Sequence, residues 1–273
     1  MQHINHVISV QNTVMVIAAS LANLEMAELW GIVRNAQLIR VYFPEWTLRV
    51  YTKKQAAAAD SESIHATVIQ RLLALGADIV YVDSSSTRTA GNWWSYMVAD
   101  DLDVDFALVR RPNGRLGERD AMAVKDWIEA CEKSPRVAVH CIRDTAYQGT
   151  RPMTHGLWAA RPRVLHQLLG GRSLMSLIDH FVNDSYSHDV DWGPSDFLSQ
   201  VLWPLVQPDA VVCHDSVSRD VWPNSRQMPG SQSLDQCAGA EYDAHEQLIT
   251  HCDSSDHFYN DVVSTDSVLQ LLV

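Results

Sequence analysis

Basic side chains are scarce in this chain: 21 Lys and Arg stand against 33 Asp and Glu, a formal net charge of -12 at pH 7. Proteins that follow a nucleic-acid backbone present excess Lys and Arg to displace counterions. The deficit excludes broad, non-specific nucleic-acid binding and leaves room only for a local arginine-lined cleft. Over most of the surface the acidic balance reads as a means of staying in solution. Cysteine is also sparse. Cys131, Cys141, Cys213, Cys237 and Cys252 are odd in number and never spaced C-x-x-C. That pattern argues against a disulfide framework or a zinc knuckle and favours a reducing, cytoplasmic setting. No apolar run approaches the ~20 residues needed to cross a bilayer. Met1 to Val10 has neither the basic start nor the long apolar run of a signal peptide, so neither a leader nor a membrane span is expected.

What is present is ordinary globular material. The 273 residues are 47% apolar and 20% charged, enough for a full core and for one large α/β domain. Short apolar runs alternate with segments of helical spacing. Strands are expected at Val14 to Ala19, Leu48 to Tyr51, Ile79 to Val82, Phe106 to Val109, Val137 to Ile142 and Ala210 to Cys213. Helices are expected at Leu21 to Asn35, Ser61 to Leu75, Trp93 to Ala99, Glu118 to Glu132, Pro162 to Leu169, Leu174 to Val182 and Asp196 to Leu205. Ser61 is read as an N-cap and Gly76 as a stop. The alternation predicts a mixed, mostly parallel sheet flanked by helices, with ligands beyond the carboxyl ends of the strands. From Asn224 onward Ser, Asp, Gln and His increase. Residues 1–223 are therefore read as one domain and 224–273 as an irregular extension packing on it.

The run from Val104 to Leu116 carries the most information. Val104-Asp105-Phe106-Ala107-Leu108-Val109 reads as a buried strand, and Arg110-Arg111-Pro112-Asn113-Gly114 as the tight turn that ends it. Other fragments follow in order: Tyr42 to Tyr51, Trp94-Ser95-Tyr96, Arg119-Asp120 with Ala123-Val124 and Asp126-Trp127-Ile128, His140 to Asp144, Thr154 to Ala159, Phe197-Leu198 with Trp203-Pro204, and His214-Asp215-Ser216. In order and spacing the stretch from Tyr42 to Asp243 resembles a family of sugar-nucleotide glycosyltransferases of the GT-A type. In that family the strand ends in R-D-x-D-S-R-L, whose aspartates hold a divalent metal on the donor diphosphate. Here Arg111-Pro112-Asn113 replaces both carboxylates. Ser95 stands in for the Arg of W-R-F, and Pro194-Ser195 for an Asp-Gln pair.

The resemblance implies a transferase moving a sugar from a nucleotide-sugar donor to an acceptor hydroxyl. The loss of the carboxylates implies that it works without a cofactor, with Mn²⁺ or Mg²⁺ as the alternative. The acceptor is left open among a glycan, a lipid-linked sugar, a protein, a small molecule and a modified nucleic-acid base. A non-catalytic relative that binds a sugar, a nucleotide or a protein is the competing reading. Ala18, Tyr51 and Thr52, at strand ends, are expected near the donor's base and ribose, and Arg110, Asn113, Arg115 and Arg143 near its phosphates. Arg111 is expected to stabilise the leaving diphosphate, Asp196 to accept the acceptor proton, and His214 to touch phosphate or sugar. His155, Trp158 and Asp191 are expected on the acceptor side. Each has a plainer role available: ion pairing for the arginines, helix N-terminal charge for Asp196, core packing for Trp158. Asp101-Leu102-Asp103 is literally a D-x-D, but it precedes the strand and is read as a solvated turn; His251, Cys252, Asp253, Asp256 and His257 have the residue types for a metal but are read as a solvated tail.

Overall fold

A computed structural model describes residues 13–22, 25–53, 63–83, 91–187, 193–231 and 237–250. In chain order the first half comprises β1 (Met15–Leu21), α1 (Met26–Tyr42), β2 (Thr47–Lys53), α2 (Ile64–Ala74), β3 (Asp78–Val82), a 3₁₀ segment (Gly91–Asp100) and β4 (Phe106–Arg110). Then follow α3 (Glu118–Lys133), β5 (Val139–Arg143), α4 (Ala146–Gly149), β6 (Leu157–Ala160), α5 (Pro162–Leu168) and α6 (Leu174–Ser187). A single helical rod continues from α7 (Pro194–Phe197) through a π turn (Leu198–Leu202) to α8 (Trp203–Val206), ahead of β7 (Val211–Asp215) and β8 (Arg226–Gln227).

The strands form one sheet in the order β3-β2-β1-β4-β6-β5-β7-β8. All neighbours are parallel except β6, which lies antiparallel between β4 and β5. Strands buried on both faces read as continuous apolar runs, and alternate residues here enter two separate cores. Val16, Ala18 and Val109 face Trp93, Tyr96, Ile178 and Phe197. Ile17, Ala19 and Leu108 face Leu29, Ile32, Val68 and Trp127. This is the mixed, mostly parallel α/β domain anticipated from the alternation of strands and helices.

Several boundaries differ from expectation. β1 runs to Leu21, so Ala18 sits in mid-strand and Leu21 belongs to the sheet rather than to the following helix. α1 extends to Tyr42, where the Pro44-Glu45 turn stops it. α2 is capped by Ser63, which accepts from the Ala66 amide at 3.2 Å; Ser61 lies outside the described residues. Its end is as expected: Gly76 at φ +84 closes it, with Gly76 and Ala77 donating to the Leu73 and Leu72 carbonyls. β6 was not legible, because four buried residues, Leu-Trp-Ala-Ala, carry no alternation.

The cysteine reading is overturned. Cys141 and Cys213 are direct register partners on β5 and β7, with Cα atoms 4.7 Å apart, and they form a disulfide. Cys237 is disulfide-bonded as well, while Cys131 is a buried free thiol. The pairing spans 72 residues of sequence and was invisible without the strand order. The argument from cysteine spacing to a reducing compartment falls with it. Among the described residues no helix is long and apolar enough to cross a membrane.

The described residues of the C-terminal stretch, up to Thr250, lie against the body. β8 pairs with β7, the Ala240 carbonyl accepts from the Arg115 amide at 2.9 Å, and Glu241 forms an antiparallel bridge with Gly114.

Candidate functional site

The turn after β4 is built by its surroundings. Asn35, buried on the apolar face of α1, donates to the carbonyls of Pro112 at 3.1 Å and Gly114 at 2.7 Å, and accepts from the Leu116 amide at 3.2 Å. The helix can approach because residue 31 is glycine: a Cβ there would meet the Pro112 carbonyl at 2.5 Å. On the other side Gly156, at φ +82, leaves room for the Arg111 stem, which a Cβ would meet at 2.3 Å. A cavity of about 500 Å³ opens beside this turn, at the carboxyl ends of β4 and β5. Arg111, Arg115, Tyr147, His155 and Glu241 are on its wall.

Arginines and carboxylates dominate this end of the sheet, and most are already committed to each other. Arg110 is buried and paired with Asp120 through two hydrogen bonds of 3.0 and 2.8 Å, and it donates to the carbonyls of Val109 and Trp158 at 2.9 Å each. Arg143 is fully buried, donates to Asp215 at 2.6 Å and to the Pro152 carbonyl, and sits 5.3 Å from the Trp222 ring. Burial pulls its pKa down, although Asp215 opposes this. Arg119 grips Asp144 at 2.7 and 2.8 Å. These guanidinium groups are satisfied internally and hold the strand ends together.

Arg111 differs. Its side chain is 44% exposed, and it pairs with Glu241, which also accepts from Asn113 at 3.3 Å. Arg115, more covered, donates to Glu246 at 2.7 Å and lies 4.9 Å from the Tyr242 ring. A divalent metal does not fit this turn. Arg111 repels cations, Pro112 offers no side-chain ligand, and Glu241 is already held by Arg111 and Asn113. Among the described residues no group of three or more His, Cys, Asp or Glu could hold a metal ion.

The other expected residues lie apart from this cavity or at its edge. Ala18 is buried in mid-β1. Tyr51 and Thr52 lie within β2 just before its last residue, where the Thr52 hydroxyl donates to the Leu21 carbonyl and touches His65 Nε2, each at 3.1 Å. The segments after β2 and β3 lie outside the described residues, as does Asp191. His214 points to the α3 face, 2.8 Å from His140 and 2.9 Å from Asp126. Asp196 accepts from the Gly193 amide at 2.9 Å in the first turn of α7 and from Arg151 at 2.5 Å. Its neighbour Ser195 accepts from the His155 amide at 3.0 Å. Trp158 is fully buried in the core, 4.9 Å from the Tyr96 ring. Asp101 accepts from Arg49 at 2.6 Å ahead of β4, at the far end of the sheet. The tail cluster from His251 to His257 lies outside the described residues.

Sequence reading missed Asn35, Tyr96 and Glu241. A buried Asn amid Ile32, Val33, Ala36 and Ile39 was a signal for the first, because a buried amide needs partners. Nothing in the sequence tied Glu241 to a turn 130 residues away.

No protein-family model and no curated protein matches the sequence. Among solved structures, the mannosyltransferase PcManGT of Pyrobaculum calidifontis, determined with GDP-mannose and Mn²⁺, is similar at 15% identity with a TM-score of 0.42. The match covers 73% of this chain and 56% of that one, so the chain spans little more than half of the enzyme it is compared with.

Proposed function

We propose that this chain is a GT-A-like glycosyltransferase that binds a nucleotide-sugar donor and holds the departing diphosphate with Arg111 instead of a divalent metal. The observation that carries this reading is the placement of Arg111. It stands on the turn where the resembling family keeps its metal carboxylates, on the wall of a 500 Å³ cavity at the carboxyl ends of the strands, and among the described residues it is balanced by a partly exposed pair with Glu241. Charge developing on a diphosphate is stabilised by pre-positioned donors, and a guanidinium supplies permanent charge with paired N–H groups. Exposed ion pairs are worth little, so a diphosphate with several charges can compete with Glu241 for this side chain. Asp196 is the carboxylate proposed for the acceptor proton, a role that requires its release from Arg151, and Asp196→Asn is then expected to abolish transfer and spare donor binding. The acceptor is a glycan, a small molecule or a modified nucleic-acid base.

The test is calorimetry with UDP, GDP and ADP and their sugars, in EDTA and then with Mn²⁺ or Mg²⁺. Binding should survive chelation and fall ~10- to 100-fold in Arg111→Ala, in line with the loss of a charge-assisted contact. Arg111→Lys should keep part of it. A requirement for metal, or wild-type affinity in Arg111→Ala, would overturn the proposal. A second reading, that of a non-catalytic binder, is favoured by Glu241, which already occupies Arg111. Donor binding without any turnover to free nucleotide or glycosylated product would select it.

A further inference from the structure

His155 lines the cavity half-buried, and its ring stacks on Tyr96 with centroids 5.7 Å apart and planes 14° from parallel. Its Nδ1 is 3.2 Å from the Tyr96 hydroxyl. Tyr96 belongs to the 3₁₀ segment and is fully buried. The Trp158 indole beside it can only donate, so His155 Nδ1 is the acceptor within reach of the phenol hydrogen. Two tautomers are possible. With the proton on Nδ1, the phenol hydrogen would be buried without an acceptor, at a cost in free energy. With the proton on Nε2, the phenol donates to Nδ1, and Nε2–H is free for a ligand in the cavity. The second arrangement gives the buried phenol hydrogen its acceptor.

We infer that His155 is a fixed, neutral hydrogen-bond donor, its Nε2–H serving an anionic ligand oxygen beside Arg111, with Tyr96 as the positioning residue that sets the tautomer. This rests on the reading of the cavity as a diphosphate site. The titratable groups facing His155 are Tyr96, from the 3₁₀ segment, and Arg111, from the turn after β4, the latter paired with Glu241. Burial, with the Arg111 guanidinium as the lesser cause, pushes the His155 pKa down to about 3. The ring is thus neutral at every working pH and too weakly basic to take a proton from an acceptor hydroxyl. Its contribution is a second donor that adds no repulsive charge next to Arg111.

Histidine-selective ¹H–¹⁵N correlation spectra, with His155 assigned by its disappearance in His155→Gln, test the tautomer directly. The Nε2–H form should persist from pH 5 to 9, and Tyr96→Phe should release the tautomer preference. In parallel, inorganic pyrophosphate in EDTA is titrated calorimetrically. His155→Leu should weaken it ~10-fold, while His155→Gln, which returns an N–H near Nε2, should restore most of that loss. An Nδ1–H tautomer, titration near pH 6–7, or unchanged affinity in His155→Leu while Arg111→Ala loses binding would overturn the assignment and leave the diphosphate site standing. Wild-type protein that binds neither pyrophosphate nor any nucleoside diphosphate would overturn the site itself, and the donor role with it.

Discussion

Arg110 and Arg143 close β4 and β5 from inside the protein, whereas Arg111, one residue beyond β4, projects into a cavity with 44% of its side chain exposed. All three carry the same charge within a few residues of the same sheet edge. The difference lies in the partners. Arg110 and Arg143 are desolvated and saturated by buried Asp120 and Asp215 together with backbone carbonyls. Arg111 meets a carboxylate that is itself partly exposed. A guanidinium with all its donors used in the interior is part of the scaffold, and one balanced at a cavity mouth can be transferred to a ligand. The resemblance alone could not separate them, since it assigned phosphate roles to both kinds.

Removing one partner of a buried pair leaves the other charge stranded, at a cost of ~3–5 kcal/mol. Arg143→Leu, which strands Asp215, should therefore lower unfolding stability by about that much, measured by urea denaturation with the disulfides kept oxidised. Arg111→Leu should lose less than ~1 kcal/mol, since its pair is at the surface. Equal losses at the two positions would erase the distinction drawn here.

Acid should weaken the fold through the buried imidazoles on the α3 side of the sheet as well as through His155 at the cavity. Asp126 accepts from His214 Nε2, so His214 Nδ1 accepts from His140 Nε2, and His140 Nδ1 is buried without a partner. Burial lowers the pKa of both imidazoles. For His214 Asp126 opposes the shift, and Arg226 lowers both further. In the unfolded chain each would titrate near ~6.5. Below that pH the unfolded state binds protons that the folded state refuses, so stability falls as pH drops from about 6.5 and is complete above it. The slope is at most ~1.4 kcal/mol per pH unit for each imidazole. His140→Leu should flatten the slope of stability between pH 6.5 and 5, read from denaturation midpoints at successive pH values. An unchanged slope would place the acid sensitivity elsewhere.

Much of the sheet was legible because its strands are apolar runs bounded by turn residues: Phe106 to Val109 ahead of Pro112, one residue short of the observed end, and Ile79 to Val82 after Gly76. Local signals also placed Asp101 in a turn at the far end of the sheet. The rest depended on contacts that the sequence separates widely. Cys141 meets Cys213 only because β5 and β7 are neighbours. Arg143 is distinguished from Arg111 only by which side of the strand end is covered. Trp158 reads as an aromatic platform until β6 is seen between β4 and β5, with the indole in the core.

The finest cut on the comparison is Glu241→Gln. Glutamine keeps the size and one of the two oxygens, enough to accept from Arg111 while the contact with Asn113 is given up, and the backbone bridge between Gly114 and residue 241 should persist. The charge that balances Arg111 is removed. An exposed pair contributes ~0.2–1 kcal/mol, which converts to a ~1.4- to 5-fold gain in pyrophosphate affinity if Glu241 competes with the ligand. Unfolding stability should drop by no more than the same amount. The gain should shrink as salt rises, because screening weakens the carboxylate's competition in the parent protein. Weaker binding in Glu241→Gln would mean the opposite relation, with the carboxylate aiming the guanidinium at the cavity and not occupying it. Arg111 would then belong with Arg143, as a side chain whose position depends on its acid.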